Sequence, residues 1–569
     1  GEGAYKTGDT LPVSINKIWP AHNPVETYTY YSLPFCQPEN IEYSTMSLGQ
    51  ILRGDRLATS FYKLQFRVTE PLKSICKKKL TADDIRLFKD AVDRNYVFEM
   101  YIDDLPVVAP IGLKSGEERY LMNKLKFVMG FNQDAVVSVE IANQDASGMV
   151  DLKLLSPDME LEFYYEVQWD SRTTIMPEMR LVKQLTGHLG GSSSQSMDIH
   201  WLSIINSLVL VMLIVSLLLL IILRIVRSDL SRMLQLPEDE LAPGEEETGW
   251  KLLHADVFRA PPHRMWFCAS VGAGTQLLVV TLAVVLTGCM HTYLDRGKMV
   301  VIGSLVYTLG SFAAGYMSAN FYRKLGGIKW AWNIVITALA FSGPAFLMWC
   351  VLNTIAFAHG STAALPWYTV VTLVFWYLCA TLPMTVIGGI LGKRDGETAV
   401  DAGFAFPVKT NKLAREIPKG RWYNSFWFQT LVSGLLPFSA IYIEMHYVFL
   451  SVWGNRLYSL YGVLLLSILA LFLVSSTIAV LMTYFSLNSE DHRWWWRSFF
   501  QGGGVALFFF LHCFYYFFAA SKMAGMLQVS FYFGYSLVTA WALFLMMGAV
   551  TFFADFAFIY YIYTRTKAD

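Results

Sequence analysis

From residue 201 onward the chain carries nine stretches of about 20 or more residues with at most one charged side chain each: 201–223, 266–290, 299–319, 330–352, 367–391, 427–452, 458–485, 498–520 and 529–554. At 1.5 Å per residue, each is long enough to cross about 30 Å of hydrocarbon as a helix. Lipid offers no partner to a backbone N–H or C=O, so runs of this kind restrict the back of the chain to helices that satisfy their own backbone. Residues 1–200 contain no such run. The predicted fold class is an α-helical polytopic membrane bundle of nine transmembrane helices behind a soluble N-terminal domain. A chain that is 54% hydrophobic and 16% charged fits that class.

Nine crossings put the two ends on opposite sides, and the basic residues of the connections give the direction. With the front domain lumenal, the cytosolic segments hold twenty Lys and Arg, from Arg224 to Lys567, and the lumenal loops hold four: Arg296, Lys298, Arg456 and Lys522. The expected organisation is a lumenal β-rich domain over 1–190, a linker over 191–200, and a first span over 201–223. A cytosolic loop over 224–265 with the acidic, disordered run "PEDELAPGEEETG" follows, then the eight remaining spans within 266–563 and a cytosolic tail over 564–569. The sequence starts at Gly1 with neither Met nor an apolar leader, as expected of a mature chain whose signal peptide has been removed.

In the front domain "FYKLQFRV" (61–68) and "AVVSVEI" (135–141) alternate apolar and polar residues, and "MELEFYYEVQW" (159–169) is rich in strand-forming aromatics. One helix is predicted in "LTADDIRLFKDAVDRNY" (80–96), with Thr81 as N-cap and Ile85, Phe88, Val92 and Tyr96 at helical spacing. Together these predict a mainly β domain, a β-sandwich, tethered by "GHLGGSSSQS" (187–196) to the first span. Two of the seven cysteines, Cys36 and Cys76, lie in this domain. An oxidising lumen lets them pair, and otherwise they stand as two free buried thiols.

Inside the predicted spans Glu444 is the ionisable residue set deepest. An acidic side chain at a helix centre costs about 2.5–3.5 kcal/mol to insert, so Glu444 must face the bundle interior, be protonated or have a partner. It is either a proton, ion or client contact, or a structural hydrogen bond shared with His446 or a neighbouring helix; Pro437 can kink the same helix and free a carbonyl. Asp555 is expected to reach the interface at the end of the last span. His512 beside Cys513, and His254 near Asp256, lack the ligand count of a zinc site. "WKLLHADVF" (250–258) is expected to fold on the bundle's cytosolic face, to lie at the lipid interface or to dock an adaptor. "DHRWWWRS" (491–498) reads as an interfacial anchor. Gly388 and Gly392, and Gly502, Gly503 and Gly504, allow close helix packing or a groove. The sequence holds no P-loop, H-E-x-x-H or G-x-S-x-G motif, so neither an enzyme nor a bound cofactor is expected, and zero net charge gives no basis for nucleic-acid binding.

Several stretches together resemble the nonaspanins, the transmembrane 9 superfamily, and most closely its member 1 branch. They are "NPVETYTYYSLPFC" (23–36), "SLGQILRGDR" (47–56), "MYIDDLP" (100–106), "IHWLSIINS" (199–207), "GWKLLHADVFRAPP" (249–262), "NKLAREIP" (411–418), "LLPFSAIYIEM" (435–445), "EDHRWWWRSF" (490–499) and "FGYS" (533–536). The resemblance implies residence in Golgi and endosomal membranes and a part in sorting other membrane proteins, with lipids and client proteins as partners. It also implies a K-x-D/E return signal read by the COPI coat, which falls on Lys567 and Asp569. The rival expectation is a transporter, channel or lipid-moving protein that uses Glu444.

Overall fold

The computed structural model describes residues 5–44, 46–142, 148–181, 183–184, 193–235, 249–290, 296–403, 405–418, 420–453, 461–521 and 523–565. Lys567 and Asp569, almost all of the acidic run and residues 187–192 of the Gly/Ser stretch lie outside the described residues.

The front domain is mainly β. One sheet orders Tyr28–Thr29, Val13–Pro20, Tyr96–Ile102 and Leu105–Pro110, with Ala58–Thr59 also pairing on Val13–Pro20; a second orders Ala135–Ile141, Lys124–Asn132, Glu160–Ser171 and Glu70–Lys79. The two share one core, in which Ile15, Phe98 and Met100 of the first sheet meet Phe127, Met129 and Phe163 of the second. A smaller sheet joins Gly112–Ser115, Glu118–Leu121 and Val150–Asp151. The predicted helix is present as Ala82–Asp93, and Thr81 and Asp84 cap it reciprocally. "FYKLQFRV" is not a strand. Only Gln65 makes an isolated bridge, to Thr10, because Arg67 adopts φ 57° and turns the chain. Leu64 and Phe66 nevertheless enter the core, so the alternation reports burial there and not pairing.

Among the described residues nine helices are long and apolar enough to cross a membrane. The first runs Ser193–Gln235 and so starts inside the segment expected as a linker. No Gly or Pro falls between Ser193 and Gln235, so no helix breaker separates these residues from the apolar run. The others are Arg264–Met290, Arg296–Lys324, Trp330–Ala358, Trp367–Asp401, Phe426–Trp453, Tyr461–Asn488, Trp494–Ala519 and Met526–Arg565. Within the fifth, a π-helical turn at Tyr377–Thr381 precedes Pro383, which lacks the N–H of a regular turn and crowds the carbonyl four residues back.

The basic connections meet on the side away from the front domain, the far side. Asn411 donates to the Ala255 carbonyl at 2.9 Å, Arg415 pairs with Glu490 at 3.3 Å, and the Tyr563 hydroxyl donates to the Trp250 carbonyl at 2.6 Å.

Candidate functional site

The front domain is seated on the connection between the fourth and fifth spans. The Thr362 N–H and the Ser361 hydroxyl both donate to the Thr27 carbonyl, at 2.9 and 2.8 Å, and Arg56 Nη2 donates to the Ala364 carbonyl at 2.9 Å. Both sides of this contact come from short stretches with local reasons to hold their shape. Ser47 and Gln50 close a capping box that starts the helix Leu48–Leu52. Gly54 then takes φ 76°, a conformation open to glycine, and brings the backbone against Thr362. Behind it Asp55, buried, accepts from Lys17 Nζ at 2.8 Å, Arg53 Nη2 at 2.6 Å and Asn16 Nδ2 at 3.0 Å. Burial pushes the Asp55 carboxyl up, but Lys17 and Arg53 outweigh it and hold it below the usual carboxylate range.

Beneath this docked domain lies a cavity of about 700 Å³, lined by the second, sixth, seventh, eighth and ninth spans and by Val25 of the front domain. Its wall is apolar, with Leu277, Ile441, Met445, Leu471, Phe509 and Met546 among the lining side chains. One carboxylate stands among its lining residues. Glu444 is 3% exposed, and neither carboxylate oxygen has a hydrogen-bond partner among the described residues. It sits nine residues before the end of its helix at Trp453, about 14 Å deep at 1.5 Å per residue. Among the described residues the structural bond expected with His446 or a neighbouring helix is therefore not formed. His446 Nδ1 has no hydrogen-bond partner among the described residues either, and its ring packs against His512 and Tyr516.

Beside the cavity the helices pack backbone to backbone. A Cβ at Gly502 would run into the Met547 carbonyl, one at Gly504 into the Thr430 carbonyl, and one at Gly274 into the Leu545 carbonyl. Phe267 packs its ring against Trp495, Phe499 and Phe552 at 5.8, 6.2 and 5.1 Å between centroids. Gly388 and Gly392 face the Phe312 and Tyr316 carbonyls of the third span, and Gly503 faces Phe544. All five glycines considered for a groove are thus filled by neighbouring helices of the same chain.

The other candidates separate cleanly. Asp555 does not reach an interface: it is fully buried between the seventh and ninth spans and accepts from the Thr483 hydroxyl at 2.6 Å. The ninth helix continues to Arg565, so Asp555 lies well inside it. Cys36 and Cys76 form a disulfide. Among the described residues no three His, Cys, Asp or Glu side chains gather to hold a metal. Asp256 pairs with Arg259.

Trp494 and Trp495 are not exposed to lipid as an interfacial anchor would be. Trp494 and Trp495 are 1% and 2% exposed, because the segment 249–262 folds over them: Trp494 Nε1 donates to the Val257 carbonyl at 2.7 Å and Trp496 Nε1 to the Pro262 carbonyl at 2.8 Å. Of the three expectations for residues 250–258, the structure shows the segment folded on the far-side face of the bundle; the sequence reading missed the Asp55 cluster. The sequence carries only a weak signal for it, the opposite charges of Arg53 and Asp55 two residues apart in "RGDR".

The family model described as Endomembrane protein 70 matches residues 27–526. The chain is 42% and 41% identical to the transmembrane 9 superfamily members 2 and 3 of Arabidopsis thaliana, each over 99% of this chain and 95% of the relative. It is 38% identical to member 1 of Bos taurus over 99% of this chain and 94% of the relative. No solved structure matches the chain. A match that takes in the docking stretches, every span up to the eighth and the far-side lid leaves one assignment: the chain belongs to the Endomembrane protein 70 family, the nonaspanins of the transmembrane 9 superfamily.

Proposed function

We propose that the protein is a nonenzymatic membrane protein of the Golgi and endosomes that binds and helps sort other membrane proteins. The observation that carries this reading is Glu444, a buried carboxylate without a partner among the described residues, on the wall of an apolar cavity that Val25 of the front domain also lines. Such a group gains most from a hydrogen-bond donor or cation brought in on an apolar carrier. Polar side chains on client transmembrane segments have that chemistry. A whole helix about 10 Å across, as deep as the wall from Ile441 to Trp453, would fill roughly 1,400 Å³. The cavity therefore takes side chains presented by a client, not its backbone.

Conduction would require the path to continue past Gly502 and Gly504, where backbones touch, and this packing supports binding over transport. The ninth helix ends at Arg565 on the side of the basic connections, which supports a cytosolic tail. There Lys567 and Asp569 act as the COPI-read return signal.

The test is the steady-state location of the protein, tagged in the front domain, with Lys567→Ser and Asp569→Ser. Movement to later compartments is expected, and an unchanged location contradicts the return signal. In parallel, delivery of a single-span reporter with one Lys in its helix is expected to change with Glu444→Leu. Unaltered delivery contradicts the sorting role.

A further inference from the structure

A second hollow, of about 450 Å³, opens on the far side where the first turns of the sixth and eighth spans meet the segment that leads into the second. Three guanidinium groups line it, those of Arg259, Arg493 and Arg497, with His492, Trp495 and Trp496. Two carboxylates offset them. Asp491 accepts from Arg493 Nε at 3.0 Å and Arg497 Nη2 at 2.9 Å, and Asp256 accepts from Arg259 Nε at 3.1 Å. Arg259 also reaches the carbonyls of Asn411 and Leu413, and Arg497 that of Asn424. The balance remains positive by one charge.

Each guanidinium has five N–H donors, and the Arg493 side chain is 60% exposed, so donors remain for a ligand. Two further groups point to one. His492 and Trp495 are 8% and 2% exposed, and His492 Nδ1 and Trp495 Nε1 have no hydrogen-bond partner among the described residues. An indole N–H can only donate, so burying it beside a hollow without an acceptor is unfavourable until an acceptor arrives. The hollow lies at the end of the apolar runs, at the depth of lipid headgroups, and Phe426 and Trp496 give it an apolar side.

We propose that this hollow binds the phosphomonoester headgroup of an anionic phospholipid from the leaflet on the far side. A phosphomonoester brings about −1.5 to −2 charges and three terminal oxygens, which suits convergent guanidinium and N–H donors better than a phosphodiester with a single charge. Arg493 and Arg497 hold the phosphate, and the acyl chains leave along Phe426 and Trp496.

The test uses the purified full-length protein in detergent. Its thermal stabilisation is titrated with a phosphatidylinositol monophosphate, with phosphatidylinositol, and with the soluble inositol bisphosphate headgroup. Half-saturation by the monophosphate lipid is expected at least about tenfold below that by phosphatidylinositol, and weakened at least about tenfold by Arg493→Gln. Ala260→Glu, which sets a negative charge on an exposed residue at the mouth, is expected to weaken it similarly and carries the test should Arg493→Gln fail to fold. Equal binding of the two lipids, or unchanged binding in the folded variants, overturns the proposal. Equal binding of the soluble headgroup overturns the lipid and assigns the hollow to a free anion.

Discussion

The Thr362 hydroxyl donates to the Thr27 hydroxyl at 2.7 Å, joining residues 335 positions apart across the boundary between the front domain and the membrane bundle. The bond is buried, and Gly54 packs its backbone on the same Thr362. The front domain is thereby held over the Glu444 cavity, with Val25 lining it.

Gly54→Val tests this seat. The substitution strains a residue at φ 76° and places a Cβ about 3.2 Å from the Thr362 carbonyl. A cost of about 1–3 kcal/mol is expected, with faster proteolysis of the front domain from the bundle. Gly116→Ala, at φ 62° with open space around it, carries strain alone and is expected to leave proteolysis at the boundary unchanged.

On the far side, Trp494→Phe keeps a ring against Trp495, 4.4 Å away between centroids, but leaves the Val257 carbonyl without its donor. The expected loss is about 1–3 kcal/mol, the cost of a buried group left unsatisfied. Hydrogen exchange over residues 249–262 reads it directly: faster exchange is predicted there, with the front domain unaffected.

Asp55 gives the front domain a dependence on acid. Its folded carboxyl titrates below the ordinary value of 3.8, so the stability it contributes is fully present above that value and is lost as pH falls below it through the folded value. The front domain's melting temperature is expected to hold between neutral pH and the ordinary carboxylate range and to drop beneath it. Asp55→Asn is expected to melt lower at neutral pH and to lose part of the acid-side drop. An identical acid profile in the variant would contradict the role given to the Lys17 and Arg53 pairs.

Gly392→Ala sets a methyl group against the Tyr316 carbonyl, where the third and fifth spans touch. Overpacking of this kind costs about 1–3 kcal/mol. A lower yield of monodisperse protein is expected, whereas Gly462→Ala, whose Cβ meets nothing within 4 Å among the described residues, is expected to be silent.

The spans were legible because crossing lipid imposes one length and one composition, and the helix at Ala82–Asp93 because its cap and apolar spacing are local. What was not legible depends on partners distant in sequence. Trp494 reads as an anchor until the segment carrying Val257 is seen to cover it. Glycines read as a groove or a contact alike until the Phe312 and Tyr316 carbonyls are found against them. Asp555 was set at the interface because its helix was expected to end near it, and the helix runs ten residues further, to Arg565. Glu444 stood out as a lone carboxylate, but only the packing of five helices reveals the space in front of it.

The most direct measurement places a photoreactive amino acid at Val448, on the cavity wall one turn beyond Glu444, and a single-span reporter bearing one Lys or one Leu in its helix in the same membrane. Crosslinking of the Lys reporter is predicted to exceed that of the Leu reporter by at least about tenfold and to be lost with Glu444→Leu, because the ammonium is the partner the carboxylate lacks. Equal crosslinking of the two reporters, or crosslinking that survives Glu444→Leu in the folded protein, would contradict the assignment of this cavity to client membrane proteins.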